Sequence, residues 1–174
     1  MKDILDKMLQ DARRYLVPEG LPGREQLLAA LPEDATSLWQ ELTPIQAFFV
    51  LESAPTYLEQ APPDVARAAY CAALGSLPGE WFTPYSSLVT ATSRRMIGID
   101  GIDGCLLAQL DNDTLVAFGD SEPHAEASLA RYQVADLAAL FLCARHGLAY
   151  DIRAPLETRV ARRDELRQLL SASP

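Results

Sequence analysis

The sequence predicts an all-α fold, a compact multi-helix bundle or degenerate helical-repeat domain of about eight helices. Three observations carry this. Apolar residues recur with helical period through most of the chain, strand-like alternation is missing apart from one short piece, and several helix starts and stops are marked by capping residues. At 174 residues, with 49% hydrophobic and 22% charged residues, the chain is expected to form one domain, residues 1–174, with a sizeable core.

The elements follow in order. In residues 2–16, Ile4, Leu5, Met8, Leu9, Ala12, Tyr15 and Leu16 share one stripe, which Pro18 and Gly20 stop. Residues 24–31 and 36–42 read as short helices. Thr43-Pro44-Ile45-Gln46 is a helix start: Thr43 caps, Pro44 suits the first helical position, and Gln46 closes a capping box. The helix that follows carries Phe48, Phe49, Val50 and Leu51 and must be largely buried. Pro62-Pro63-Asp64 opens another, whose Ala66, Ala69 and Ala73 allow close approach of a neighbour and which Gly75 ends. Residues 78–87 are an aromatic loop. Residues 88–97 have β-branched content, but their context favours helix. Asp103 is expected to cap a short helix closed at Asp111-Asn112-Asp113, and residues 114–118 are the one extended piece. Residues 125–146 read as the longest, central helix, ended by Gly147. A last helix over about 156–170 points Leu156, Val160, Leu166, Leu169 and Leu170 inward.

Charge narrows the function classes. The net charge is −9, which disfavours nucleic acid and anionic membranes, since both demand cationic surface. No window approaches a membrane span, and the N-terminus lacks the apolar core of a signal peptide. Cys71, Cys105 and Cys143 are odd in number and sit in apolar runs without paired spacing, so they read as free thiols in a reducing compartment. A cytoplasmic location is expected.

Residues 98–126 hold seven acids (Asp100, Asp103, Asp111, Asp113, Asp120, Glu122 and Glu126) and no Lys or Arg. Residues 153–174 instead carry Arg153, Arg159, Arg162, Arg163 and Arg167, for a local charge of +2 against −11 elsewhere. Two readings follow. The acidic stretch docks a basic protein, or the Arg-rich tail covers it within the fold.

The pair IDGIDGCLLAQLDNDTLV and ARYQVADLAALFLCARHG resembles a HEAT or armadillo-type helical repeat, over about residues 99–147. Leu106, Leu107 and Leu110 stand at the first-helix core positions. Val134, Ala135, Leu137, Ala138 and Leu140 stand at those of the second. The connection TLVAFGDSEPHAEASL is longer than a repeat turn, and no second copy recurs at a fixed period. The resemblance implies partner binding rather than catalysis.

Candidate sites follow from residue chemistry. Asp111-x-Asp113 opens like a calcium loop, but Leu115 and Val116 stand where an oxygen ligand and glycine are needed. His124 with Asp120, Glu122 or Glu126 forms the basis of an alternative reading, a metal-dependent enzyme. His146, near a helix C-terminus, reads as structural. No nucleophile elbow, phosphate loop, His-Glu-x-x-His or Cys-x-x-Cys motif is present. Trp81, Phe82 and Tyr85 read either as partner anchors or as a plug at the end of the bundle. The expectation is therefore a protein without cofactor or resident metal. It would bind a basic protein partner through Asp100, Asp103, Asp111, Asp113, Asp120 and Glu122, aided by Trp81, Phe82 and Tyr85. An immunity (toxin-neutralising) protein or an adaptor or chaperone fits this description.

Overall fold

Local signals place the first half of the chain. Lys2–Ala12 forms α1, with Leu5, Met8 and Ala12 of the expected stripe fully buried. Short helices α2 (Arg24–Ala30) and α3 (Leu38–Glu41) follow. α4 (Pro44–Ser53) starts on the capping box read from the sequence. Gln46 N–H donates to Thr43 Oγ1 (3.4 Å), and the Gln46 side chain accepts from Thr43 N–H (3.0 Å). Every residue of α4 from Gln46 to Ser53 is buried. A short helix not foreseen, α5 (Thr56–Gln60), precedes α6 (Pro63–Leu74). Ala66, Ala69 and Ala73 face α4, and α4 with α6 is the most extensive helix pair, because side chains this small let the backbones approach.

This computed structural model describes residues 1–14, 20–82, 90–118 and 130–171. Among them the architecture is all-α: ten α-helices, two 3-10 turns and no sheet. The ambiguous 88–97 region resolves as helix α7 (Ala91–Gly98), capped by Thr90 Oγ1 accepting from Ser93 N–H at 2.9 Å. α8 is Asp103–Ala108, continued by a 3-10 turn at Gln109–Asp111. Asp103 does not cap it. Ile102 holds the cap position, and the Asp103 carboxylate turns to Arg145 instead.

Residues 114–118 are extended, with a single antiparallel bridge, Leu115 to Gln133. α9 spans Val134–His146 and is buried continuously from Val134 to Cys143. The expected helix over 125–146 therefore does not run unbroken. Arg131 has φ +51°, a left-handed conformation that ends helical geometry, and a new start forms at Gln133. Gly147, at φ +64°, closes α9 as foreseen, because that conformation suits a residue without Cβ. α10 (Leu156–Ser171) is then the longest described helix. Its inward face also differs from expectation. Arg159, Arg163 and Leu166 are buried, whereas Leu156, Val160 and Leu169 are exposed.

The N-terminal helices gather on α4, and α7, α8 and α10 gather on α9. An aromatic cluster joins the two groups. Phe48 and Phe49 of α4 contact Trp81 at ring-centroid distances of 5.5 and 5.7 Å. Phe48 also meets Tyr70 and Phe82, and Phe82 reaches Phe141 of α9 at 6.3 Å. Gly79 allows this turn to lie flat on residues 116–118, and its N–H donates to Ala117 O (2.8 Å). A Cβ there would overlap the Phe118 ring and stand 2.8 Å from Val116 Cγ1.

The thiols also depart from expectation. Cys71 of α6 and Cys105 of α8 form a disulfide across a Cα separation of 6.2 Å, and only Cys143 is free and buried. Partial exposure of the first pair and a pairing distance invisible in the sequence explain the difference. The inference of a reducing compartment from unpaired thiols loses its basis. No helix among the described residues is long and apolar enough to cross a membrane.

Two predictions follow from this packing. Gly79→Ala should lower unfolding free energy by about 1–3 kcal/mol in urea titrations, the range for overpacking a filled core; a variant as stable as the parent would contradict the close approach. Cys105→Ser should cost about 2–4 kcal/mol under non-reducing conditions. Adding dithiothreitol should then destabilise the parent but not the variant, whereas a reductant-insensitive parent would show that the bridge contributes nothing.

Candidate functional site

The acids of the 98–126 stretch that the structure describes fall at the two ends of α8 rather than in one patch. Asp100 and Asp103 lie at its start, Asp111 and Asp113 at its finish, a separation of roughly 12 Å along the axis at 1.5 Å per residue. Each end has the same makeup. One carboxylate is paired: Asp103 accepts from Arg145 Nε (2.7 Å) and lies 3.5 Å from His146 Nε2, and Asp111 accepts from Arg167 Nη2 (2.5 Å). The other is open: Asp100 and Asp113 are exposed, and neither carboxylate has an ion-pair partner among the described residues. The backbone of Asp100 is held by Arg67, whose Nη1 donates to its carbonyl at 3.2 Å. Asp120, Glu122, His124, Glu126 and Tyr85 lie outside the described residues.

Among the described residues, the ion pair between the tail and the acidic stretch is Arg167–Asp111. The buried arginines of the tail, Arg159 and Arg163, go elsewhere. Asp136, fully buried on the first turn of α9, accepts from Gln133 N–H (2.9 Å), Tyr150 OH (2.8 Å) and Arg159 Nη1. Arg163 Nη1 stands 3.8 Å from its second oxygen and donates to Gln133 Oε1 at 3.0 Å. Arg159 also donates to the carbonyls of Ala130 (2.8 Å) and Ala154 (3.0 Å) and lies over the Tyr132 ring. Each nitrogen of the Arg159 guanidinium thus has an acceptor, and Arg163 has a hydrogen bond and an ion pair, which offsets the cost of burying the two arginines.

A second buried carboxylate, Glu52 of α4, accepts from Tyr70 OH (2.5 Å), Thr92 Oγ1 (2.7 Å) and Arg95 Nη1 (2.7 Å). Burial, and then the adjacent Glu52, push the Tyr70 phenol well above its ordinary range. Burial and Asp136 do the same to Tyr150. Neither tyrosine is set up as an acid or base near neutral pH. Burial likewise raises the Cys143 thiol, the wrong direction for a nucleophile, with Arg162 opposing weakly. Both networks tie helices together.

Among the described residues no group of three His, Cys, Asp or Glu is placed to hold a metal ion. Trp81 and Phe82 correct the anchor reading. They are 1% and 0% exposed and belong to the aromatic core, so they act as the plug rather than as surface anchors. Sequence reasoning missed Asp136 and Glu52 because a lone acid in an apolar helix gives no sign of which cation will reach it.

The two classes of ion pair should separate on mutation. Asp136→Ala leaves Arg159 and Arg163 buried and unpaired, and should cost about 3–5 kcal/mol by urea unfolding. Arg167→Ala removes a largely exposed pair and should change stability by no more than about 1 kcal/mol. Equal losses would contradict the assignment of Asp136 as the anchor of α10. No protein-family model, curated protein or solved structure matches the chain.

Proposed function

We propose that this is a protein–protein interaction protein that docks a basic protein partner through the open carboxylates flanking α8. The observation that carries the reading is the way charge is distributed. Arg95, Arg145, Arg159, Arg163 and Arg167 are engaged by carboxylates of this chain, while Asp100 and Asp113 remain exposed and unpaired among the described residues. The pairs are close to charge-neutral, so the net charge of −9 is left on the rest of the chain, with Asp100 and Asp113 part of it; a field of that sign speeds encounter with cationic surfaces and selects among them. The HEAT-like resemblance of residues 99–147 favours the same class. Toxin neutralisation is the preferred role, since an anionic surface suits the basic active site of an enzyme that acts on nucleic acid. An adaptor or chaperone would use the same chemistry on a basic client.

The test is capture of partners by tagged protein from its native lysate at low and at moderate salt, beside the double variant Asp100→Lys, Asp113→Lys. A stoichiometric basic protein should be retained at low salt, released at moderate salt and absent with the double variant, because exposed charge pairs are screened beyond about 10 Å at 0.1 M salt. A partner held equally at both salts and by the double variant would overturn the acidic-face reading.

A further inference from the structure

A cleft of about 430 Å³ opens between the α5–α6 corner and the end of α7. Small-molecule sites occupy roughly 300–1,000 Å³. Its apolar wall is formed by Leu58, Ala61, Pro63, Ala66 and Ile99. Four charged side chains also line it, two of each sign. Arg94 and Arg95 come from α7, Glu59 from α5, and Asp100 from the turn after α7. Arg95 is held by the buried Glu52, to which its Nη1 donates at 2.7 Å, and its other guanidinium nitrogens have no acceptor among the described residues. Arg94, Glu59 and Asp100 are exposed and carry no ion pair among the described residues, although they line the same cleft.

A ligand entering this cleft must answer charges of both signs. A simple anion would meet Glu59 and Asp100, and a simple cation would meet Arg94 and Arg95. A neutral apolar molecule would take water from all four without pairing them, which costs free energy. We infer that the cleft takes a small zwitterion with an apolar body, a free apolar amino acid or a dipeptide of such residues. Its carboxylate would pair with Arg94 and with the Arg95 nitrogens that Glu52 does not engage. Its ammonium would pair with Glu59 and Asp100, and its side chains would lie on Leu58, Ala66 and Ile99. Arg95 suits this role because Glu52 already fixes it, so less freedom is lost when a carboxylate arrives. Charge-assisted hydrogen bonds at both ends make the site selective for free termini. The inference goes beyond the docking of a basic protein and shares only Asp100 with it.

The test is calorimetric titration of the full-length protein with leucine and with leucyl-leucine, beside the N-acetylated and the C-amidated form of each. Saturable binding of leucine or leucyl-leucine is expected, and the tighter of the two identifies the source as an amino acid or a peptide. Each blocked form lacks one charge and should bind about tenfold more weakly, the scale of losing one charge-assisted hydrogen bond. Glu59→Gln and Arg94→Gln alter exposed side chains without ion pairs among the described residues, and each should weaken binding of the free zwitterion about tenfold. Arg95 is left intact because it neutralises the buried Glu52. Equal affinity for free and blocked forms, or equal affinity of the parent and both variants, would overturn the inference. Absence of binding of both leucine and leucyl-leucine at millimolar concentration would overturn it too. Glu59 and Arg94 lie outside the acidic stretch, so either failure leaves the docking reading to be decided by the lysate capture.

Discussion

The buried Asp136 carboxylate is the constraint on which the C-terminal half depends. It sits on the first turn of α9 and meets Gln133 N–H, Tyr150 OH and two arginines of α10. Each contact fixes a different piece of chain. Gln133 sets the start of α9, Tyr150 fastens the link after Gly147, and Arg159 and Arg163 hold α10 down. Apolar burial contributes little to that last docking, since Leu166 is the one fully buried leucine of α10. A buried ion pair of this sort adds little to net stability against an apolar alternative, but breaking it leaves charge stranded in the core. It therefore specifies where α10 lies more than how strongly the protein folds.

The N-terminal half depends instead on shape. Alanines on α6 admit α4, and the rings of Phe48, Phe49, Tyr70, Trp81, Phe82 and Phe141 fill the space between the two groups of helices. Gly79 lets this aromatic turn press against residues 116–118. The extended segment that follows the acidic residues at the end of α8 is thus mounted on the packed core. Changes at Gly79 would be felt at residues 116–118, against which it packs.

What could be read from the sequence was local. The Thr43 to Gln46 capping box, the Gly147 stop and the alanine face of α6 each need only neighbouring residues, and each stands as expected. Most departures from expectation involve a partner distant in sequence. Leucine spacing points the leucines of α10 inward, because arginine burial makes no sense until Asp136 is in place. The helix over 125–146 looked continuous because nothing in the composition marks Arg131 as left-handed. Cys71 and Cys105 looked unpaired because two helices separated by 34 residues bring them together. The acidic stretch was legible as charge, but its division into one paired and one open carboxylate at each end of α8 depends on where Arg145 and Arg167 arrive. Likewise the extended piece at 114–118 is visible in the sequence, and its pairing with residues 132–134 is not.

In the proposed docking, Asp100 and Asp113, left without an ion pair among the described residues, are the carboxylates that meet a partner. Zero-length carbodiimide cross-linking of the captured complex, with peptide mapping by mass spectrometry, tests this most directly, since it joins a carboxylate only to an amine in contact with it. The predicted result is amide bonds from Asp100 or Asp113 to lysines of the partner. Partner cross-links confined to acids elsewhere on the chain, with Asp100 and Asp113 left unmodified or joined to the partner in no peptide, would contradict the account.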